Sequence, residues 1–419
     1  MGEVRHRKLV ILGIAAVTAL AGRAFGQYTI NTLVSFNGSN GANPEAGLTL
    51  SGDGTTFYGV TTYGGVTVDG EVFSVPVTGG TPTVLASFNG SNGESPISGL
   101  TLSSDGTTLY GTTADGGAHG EGEVFSLPIT GGAPTVLASF NGSNGSIPGA
   151  RLSLSSDGTT LYGTTGDGGA NGYGEVFSLP IIGGTPTVLT SFNESDGSLP
   201  EAGLSLSSDG TTLYGTTAFG GANNDGEVFS LPITGGTPTL LASFNGSNGR
   251  SPRAGLSLAS DGTTFYGTTA LGGANNDGEV FSLPVTGGTP TLLASFNGSN
   301  GESPFCDLTL SSDGTTFYGT TAAGGANNNG GVFSLPVTGG TPTLLASFNY
   351  SSDRPPYFPS DLTLSGTALY GITAYGGAYG EGTVFAINVP EPGSVGLLAI
   401  GSLALLRRVR RIGHRRVVG

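Results

Sequence analysis

The chain repeats itself every 52 residues, and that period decides most of what it can become. A Ser-Phe pair places phenylalanines at Phe36, Phe88, Phe140, Phe192, Phe244, Phe296 and Phe348. A Tyr-Gly pair does the same at Tyr58, Tyr110, Tyr162, Tyr214, Tyr266, Tyr318 and Tyr370, and a Val-Phe pair at Phe73, Phe125, Phe177, Phe229, Phe281, Phe333 and Phe385. A fixed period overrides the two or three domains that 419 residues would otherwise suggest.

One unit, Gly99 to Phe140, reads as four short strands. Gly99–Ser103 alternates, and Ser104-Asp105-Gly106 turns, with a glycine that tolerates positive φ. Thr108–Thr113, Glu123–Leu127 and Thr135–Phe140 follow, each bounded by turn residues. The fourth strand alternates, with Val136, Ala138 and Phe140 on one side and Leu137 on the other. Both sheet faces are partly apolar, so the sheet must pack against copies of itself. Radial packing does this, and propellers use four to eight four-stranded blades. The expected fold is all-β, a seven-bladed β-propeller over residues 28–389. Tyr28–Phe36 matches a fourth strand and Asp361–Val389 supplies three, so pairing the N-terminal strand with the last three strands closes the ring. A proline opens each fourth strand, as at Pro134, which suits an outer edge. Pro128, after Ser-Leu, reads as the end of the third strand or a bulge.

The motif Asp-Gly-Thr-Thr-Leu-Tyr-Gly-Thr-Thr, followed by Gly-Gly and Gly-Glu-Val-Phe-Ser-Leu, resembles the tandem repeat of Gloeobacter and Verrucomicrobia proteins over residues 28–389. That resemblance implies surface export and carries no catalytic residue with it. Residues 1–26 have the parts of a secretory signal peptide: Arg5, Arg7 and Lys8, an apolar stretch, and Ala24-Phe25-Gly26 before the cleavage point. At the other end Pro390-Glu391-Pro392 precedes an apolar segment, 393–406, and Arg407, Arg408, Arg410 and Arg411. Residues 390–419 thus resemble a PEP-CTERM sorting tail. The resemblance implies an exosortase-type partner, a membrane-anchored intermediate held by a short transmembrane segment, and delivery to the cell surface or beyond.

Charge narrows the partners. The repeat region holds four arginines (Arg151, Arg250, Arg253, Arg354) against 27 acids, a net of about −23. So acidic a body does not track a nucleic-acid backbone, which rewards phosphate neutralisation. His119 is the one histidine of the repeats and Cys306 the one cysteine, so recurring Ser/His/Asp, Cys/His or His-based metal sets are missing. Cys306 is expected to be buried and His119 to be a solvent-exposed loop residue. No pair of carboxylates stands out from the repeat background. Six acids (Asp53, Asp105, Asp157, Asp209, Asp261, Asp313) sit in Asp-Gly turns on one face, while the others, with the arginines, fall in or beside longer loops on the opposite face.

That variable face is where a partner is expected. The main expectation is an exported structural or adhesive protein of the cell surface or extracellular matrix, without catalysis. The alternative is a glycan- or Ca²⁺-binding module. Aromatic residues precede three Gly-Gly pairs (Tyr63, Phe219, Tyr375) and offer faces for sugar rings of an extracellular polysaccharide. Asn-Asn-Asp-Gly-Glu segments place Asp225 with Glu227 and Asp277 with Glu279 as hard oxygen ligands of the kind Ca²⁺ takes. A carbohydrate-active enzyme built on paired carboxylates stands third.

Overall fold

A computed structural model describes residues 28–349, 353–354 and 361–389 of the chain. The expected signal peptide, 1–26, the stretch holding Pro355, Pro356, Tyr357 and Phe358, and the expected sorting tail with Pro390, Glu391, Pro392, Arg407, Arg408, Arg410 and Arg411 lie outside the described residues. Among those described there is no helix, and none long and apolar enough to cross a membrane.

Seven four-stranded antiparallel sheets form a ring, a seven-bladed propeller. Counting from the blade that opens with Thr49–Leu50, the second blade comprises Thr101–Leu102, Thr108–Thr113, Glu123–Pro128 and Thr135–Ser139. The seventh takes its fourth strand from the start of the chain: Asn31–Ser35 pairs with Thr383–Asn388, which pairs with Ala368–Thr373 and then Thr363–Ser365. A second closure runs around the axis. Each first strand opens with Thr or Ser, whose hydroxyl donates to a backbone carbonyl of the next blade, from Thr49 Oγ1 to Leu100 O (2.5 Å) onward. The last of these, Thr363 Oγ1 to Leu48 O at 2.8 Å, joins the seventh blade to the first.

The repeated aromatics are the packing code between blades. Phe140, at the end of one blade, meets Phe177 of the next edge-to-face, with centroids 5.1 Å apart, and the same pair recurs at all seven junctions. Such pairs add roughly 0.5–1.5 kcal/mol beyond area burial. The glycine of Tyr-Gly makes room for that ring: a Cβ on Gly163 would stand 2.6 Å from Phe177 Cζ. Hydrophobic clusters accordingly straddle neighbouring blades, as where Tyr110, Val124 and Phe140 pack on Leu152, Leu161 and Phe177.

The fourth strand departs from simple alternation. Its pairing with the third shifts between Val124 and Phe125, a β-bulge that recurs in every blade. The extra residue turns both Leu137 and Ala138 inward while Val136 is left exposed, so Val136 does not share a face with Ala138 as strict period-two reading requires. Pro128 ends its strand, and Thr135–Ser139 begins directly after Pro134 on the outer edge.

Candidate functional site

The two faces of the ring are built differently. On one, each Asp-Gly turn is a closed local network: Asp105 Oδ1 accepts from Ser103 Oγ (2.6 Å), Thr107 N (3.0 Å) and Thr107 Oγ1 (2.8 Å). These bonds, that from Ser103 foremost, hold the carboxyl below its ordinary range, and the same pattern holds Asp53, Asp157 and Asp209. Their acids are spent on the turn.

On the opposite face the units stop being alike, and they do so at positions around the mouth of the central channel. Two residues before the first strand, successive blades carry Gly47, Gly99, Arg151, Gly203, Gly255, Asp307 and Asp361. Two residues further back stand Glu45, Ile97, Gly149, Glu201, Arg253 and Phe305. The residue before each Gly-Gly pair is Tyr63, Asp115, Asp167, Phe219, Leu271, Ala323 and Tyr375. Many of these side chains line one funnel of about 610 Å³, with Arg151, Asp167, Glu201, Phe219, Arg250, Arg253, Phe305, Asp307 and Asp361 on its wall. Ile147 and Leu199 also line it, held at φ 54° and 53° where the equivalent residues are Asn43, Ser95, Ser251 and Ser303. A β-branched residue at positive φ is costly, and such strain collects at binding and catalytic sites.

The charges in the funnel are unequally matched. Arg253 Nη1 lies 2.6 Å from Glu201 Oε2 with its guanidinium 5.3 Å from the centre of the Phe219 ring, a salt bridge backed by a cation–π contact. Arg250 Nε pairs with Asp225 Oδ1 at 3.2 Å. Arg151 reaches Thr49 Oγ1 (3.3 Å) two blades away, across the inner end of the funnel. Nearby, Asp361 Oδ1 accepts the backbone N–H of Asp307 (2.9 Å), and Asp307 Oδ1 in turn accepts that of Gly255. Burial, then the charge of Asp361, pushes the Asp307 carboxyl up to about 7, although Arg151 and the Gly255 amide pull it down. Asp361 is raised by burial as well. Burial also raises Glu201 against the opposing pull of Arg253, and takes Glu45 to about 7.

The structure sorts the residues expected from sequence. Phe219 lies in the funnel, whereas Tyr63 and Tyr375 are exposed on the neighbouring first and seventh blades, off its wall. The acids of the two expected Ca²⁺ sets stand in different settings. Glu227 and Glu279 are buried at the start of their third strands, where each accepts from a serine of the fourth strand, Ser243 (2.9 Å) and Ser295 (3.2 Å). Glu71, Glu123 and Glu175 do the same, so this glutamate belongs to the repeat, and burial raises all five. Asp225 is committed to Arg250, and Asp277 gives its backbone carbonyl to Ser303 N (2.9 Å). Among the described residues no three His, Cys, Asp or Glu side chains are grouped to hold a metal ion. Cys306 is buried with its thiol pushed up to about 12 by burial, and His119 is exposed.

Sequence reasoning missed the carboxyl pair, Asp307 with Asp361. Aligning the seven residues that precede the first strands exposes it, but a two-residue insertion shifts the last of them from the 52-residue register.

The ring resembles other propellers in outline. It matches the periplasmic gluconolactonase of Pseudomonas aeruginosa at 18% identity and TM-score 0.51, over 80% of this chain and 97% of that one. A puromycin-hydrolysing peptidase of Mycobacterium tuberculosis matches at 14% identity and TM-score 0.52, over 87% and 55%. At such identities the likeness is one of fold. No curated protein matches the sequence. Residues 388–411 match the PEP-CTERM protein-sorting motif, which implies export and recognition by exosortase-type sorting machinery. Two matches to the Gloeobacter/Verrucomicrobia repeat, over residues 23–213 and 205–399, span nearly all of the rest, and the chain belongs to that repeat family.

Proposed function

We propose that this chain is a surface or matrix protein that holds saccharide chains of an extracellular polysaccharide in the funnel, without transforming them. The observation that carries this is the convergence of the departures from the repeat on one 610 Å³ concavity. Near-identical blades supply a rigid scaffold, and a binding site needs individuality only where the ligand sits. Phe219 and Phe305 offer ring faces, while carboxylates and guanidinium groups accept from and donate to hydroxyls.

Calorimetric titration of the purified protein with fragments of the producing strain's polysaccharide tests it. Phe219→Ala and Arg253→Ala each weaken binding by about tenfold, equivalent to about 1.4 kcal/mol. Tyr63→Ala and Tyr375→Ala, off the funnel wall, change it by less than about twofold. Equal losses from both pairs overturn the reading.

A carbohydrate-active enzyme is favoured by one observation, the adjoining carboxyls of Asp307 and Asp361 with Asp307 poised near neutrality. Glycoside cleavage needs one carboxyl as acid and a second as base or nucleophile. Here one oxygen of each is committed to a backbone amide, which favours holding over proton transfer. Reducing sugar released by the protein and abolished by Asp307→Asn would make it the enzyme instead.

A further inference from the structure

We infer that the funnel selects a saccharide bearing a free amine, whose ammonium group settles beside Asp307 and Asp361 at the inner end. This rests on the saccharide reading and adds the sugar class. Two carboxyls share that end with one guanidinium, Arg151, so the group is one positive charge short of neutrality when both acids ionise. The remaining cations do not make up the deficit: Arg253 is matched by Glu201 and Arg250 by Asp225. Asp167, on the same wall, adds a further negative charge.

Placing two carboxyls close together in one pocket disfavours ionisation of both, and burial together with the charge of Asp361 raises Asp307 accordingly, so without a ligand a proton serves to relieve the deficit. An ammonium ion does better than that proton. It leaves both carboxylates ionised and donates up to three charge-assisted hydrogen bonds, including to the oxygens the backbone amides leave free. A uronic sugar would instead bring a third negative charge to this end, and an N-acetylated sugar supplies no charge at all. Arg151 does not stand in for the ligand: it spans toward Thr49 and lowers both acids, yet burial still leaves both raised.

The test compares four tetrasaccharides in calorimetric titrations of the full protein at pH 6 and physiological salt: β-glucosamine, N-acetyl-β-glucosamine, β-glucose and a uronic acid. The expected result is at least about tenfold tighter binding of the glucosamine tetramer, about 1.4 kcal/mol. A double variant, Asp307→Asn with Asp361→Asn, keeps an oxygen for each backbone amide and erases the preference. A control removes the same charge from the turn face, Asp157→Asn with Asp209→Asn, and retains the preference, which separates a local site from general attraction to an acidic body. Neutral or uronic tetramers binding as tightly as glucosamine would overturn the amine inference and leave the saccharide reading standing. Binding of none of the four overturns both. A preference that the turn-face variant erases as completely as the funnel variant also overturns the inference, since no local site then exists.

Discussion

The turn face and the funnel face of this ring grow from the same repeat, yet they answer to different constraints. On the turn face, serine, aspartate, glycine and threonine bond to one another within each turn, and six blades repeat the arrangement from Asp53 to Asp313 almost unchanged. On the funnel face the corresponding backbone is kept while its side chains range from Gly47 to Arg151 to Asp307. The difference teaches which positions the fold needs. Where a side chain closes its own blade, or packs on the next, the units keep it with few exceptions. Where it faces the open channel, the fold is indifferent and the blades diverge.

The largest effects are therefore expected at the blade junctions, and they should be the same whichever blade is chosen. Phe125→Ala, Phe177→Ala and Phe229→Ala each remove a buried ring from an edge-to-face pair, at a cost of about 3–5 kcal/mol in denaturant unfolding. A junction that lost much less than the others would break the equivalence of the blades. Next comes overpacking. Gly163→Ala sets a methyl within 2.6 Å of Phe177 Cζ and should cost about 1–3 kcal/mol, relieved when combined with Phe177→Leu in a double-mutant cycle. Smaller still is the turn itself: Asp157→Ala opens a three-donor network and should lower the melting temperature modestly, with saccharide binding unchanged. Because the Asp157 carboxyl sits below its ordinary value, its contribution is present above the unfolded-state pKa and fades as pH falls through the folded one, so the variant and the parent should converge in acid.

Much of the fold was legible in the sequence for a definite reason. A repeat shows in one line which residues are under the same constraint seven times, and the phase of Tyr28–Phe36 against Asp361–Val389 anticipates the shared blade. The bulge was not legible, because Val136, Leu137 and Ala138 are all apolar and no hydropathy pattern distinguishes which of them is the extra residue. The site was read by face but not by residue. Phe219 drew attention together with Tyr63 and Tyr375 because the same position holds no aromatic residue in the other four units, whereas Glu227, read as a loop ligand, recurs at Glu71, Glu123 and Glu175 as a buried acceptor. Arg151, Asp307 and Asp361 draw their meaning from meeting in one pocket, and chain order separates them by more than 150 residues from first to second and hides the third behind an insertion.

The smallest predicted effect probes that scaffold glutamate. Glu123 Oε1 accepts from Ser139 Oγ (2.9 Å), the backbone amide of Ala118 lies beside the carboxyl and lowers it, and Oε2 is buried without a partner. The sixth blade manages without it: Gly331 takes its place and Ala326 N donates directly to Ser347 Oγ at 3.1 Å. Burial raises the Glu123 carboxyl more than the serine bond lowers it, so its folded-state pKa lies above the unfolded one. The stability it contributes is then full below the unfolded-state value and is lost as pH rises through the folded one. Glu123→Gln keeps an acceptor for Ser139 and has no charge to bury, so it should melt slightly higher than the parent at pH 7, by less than about 1 kcal/mol, and show no gain near pH 4. The converse substitution sharpens the point. Gly331→Glu should destabilise the sixth blade at every pH, since its Cβ would clash with the carbonyl oxygen of Ala346: the two ways of tying Ala to Ser are alternatives, and each blade has packed around the one it uses.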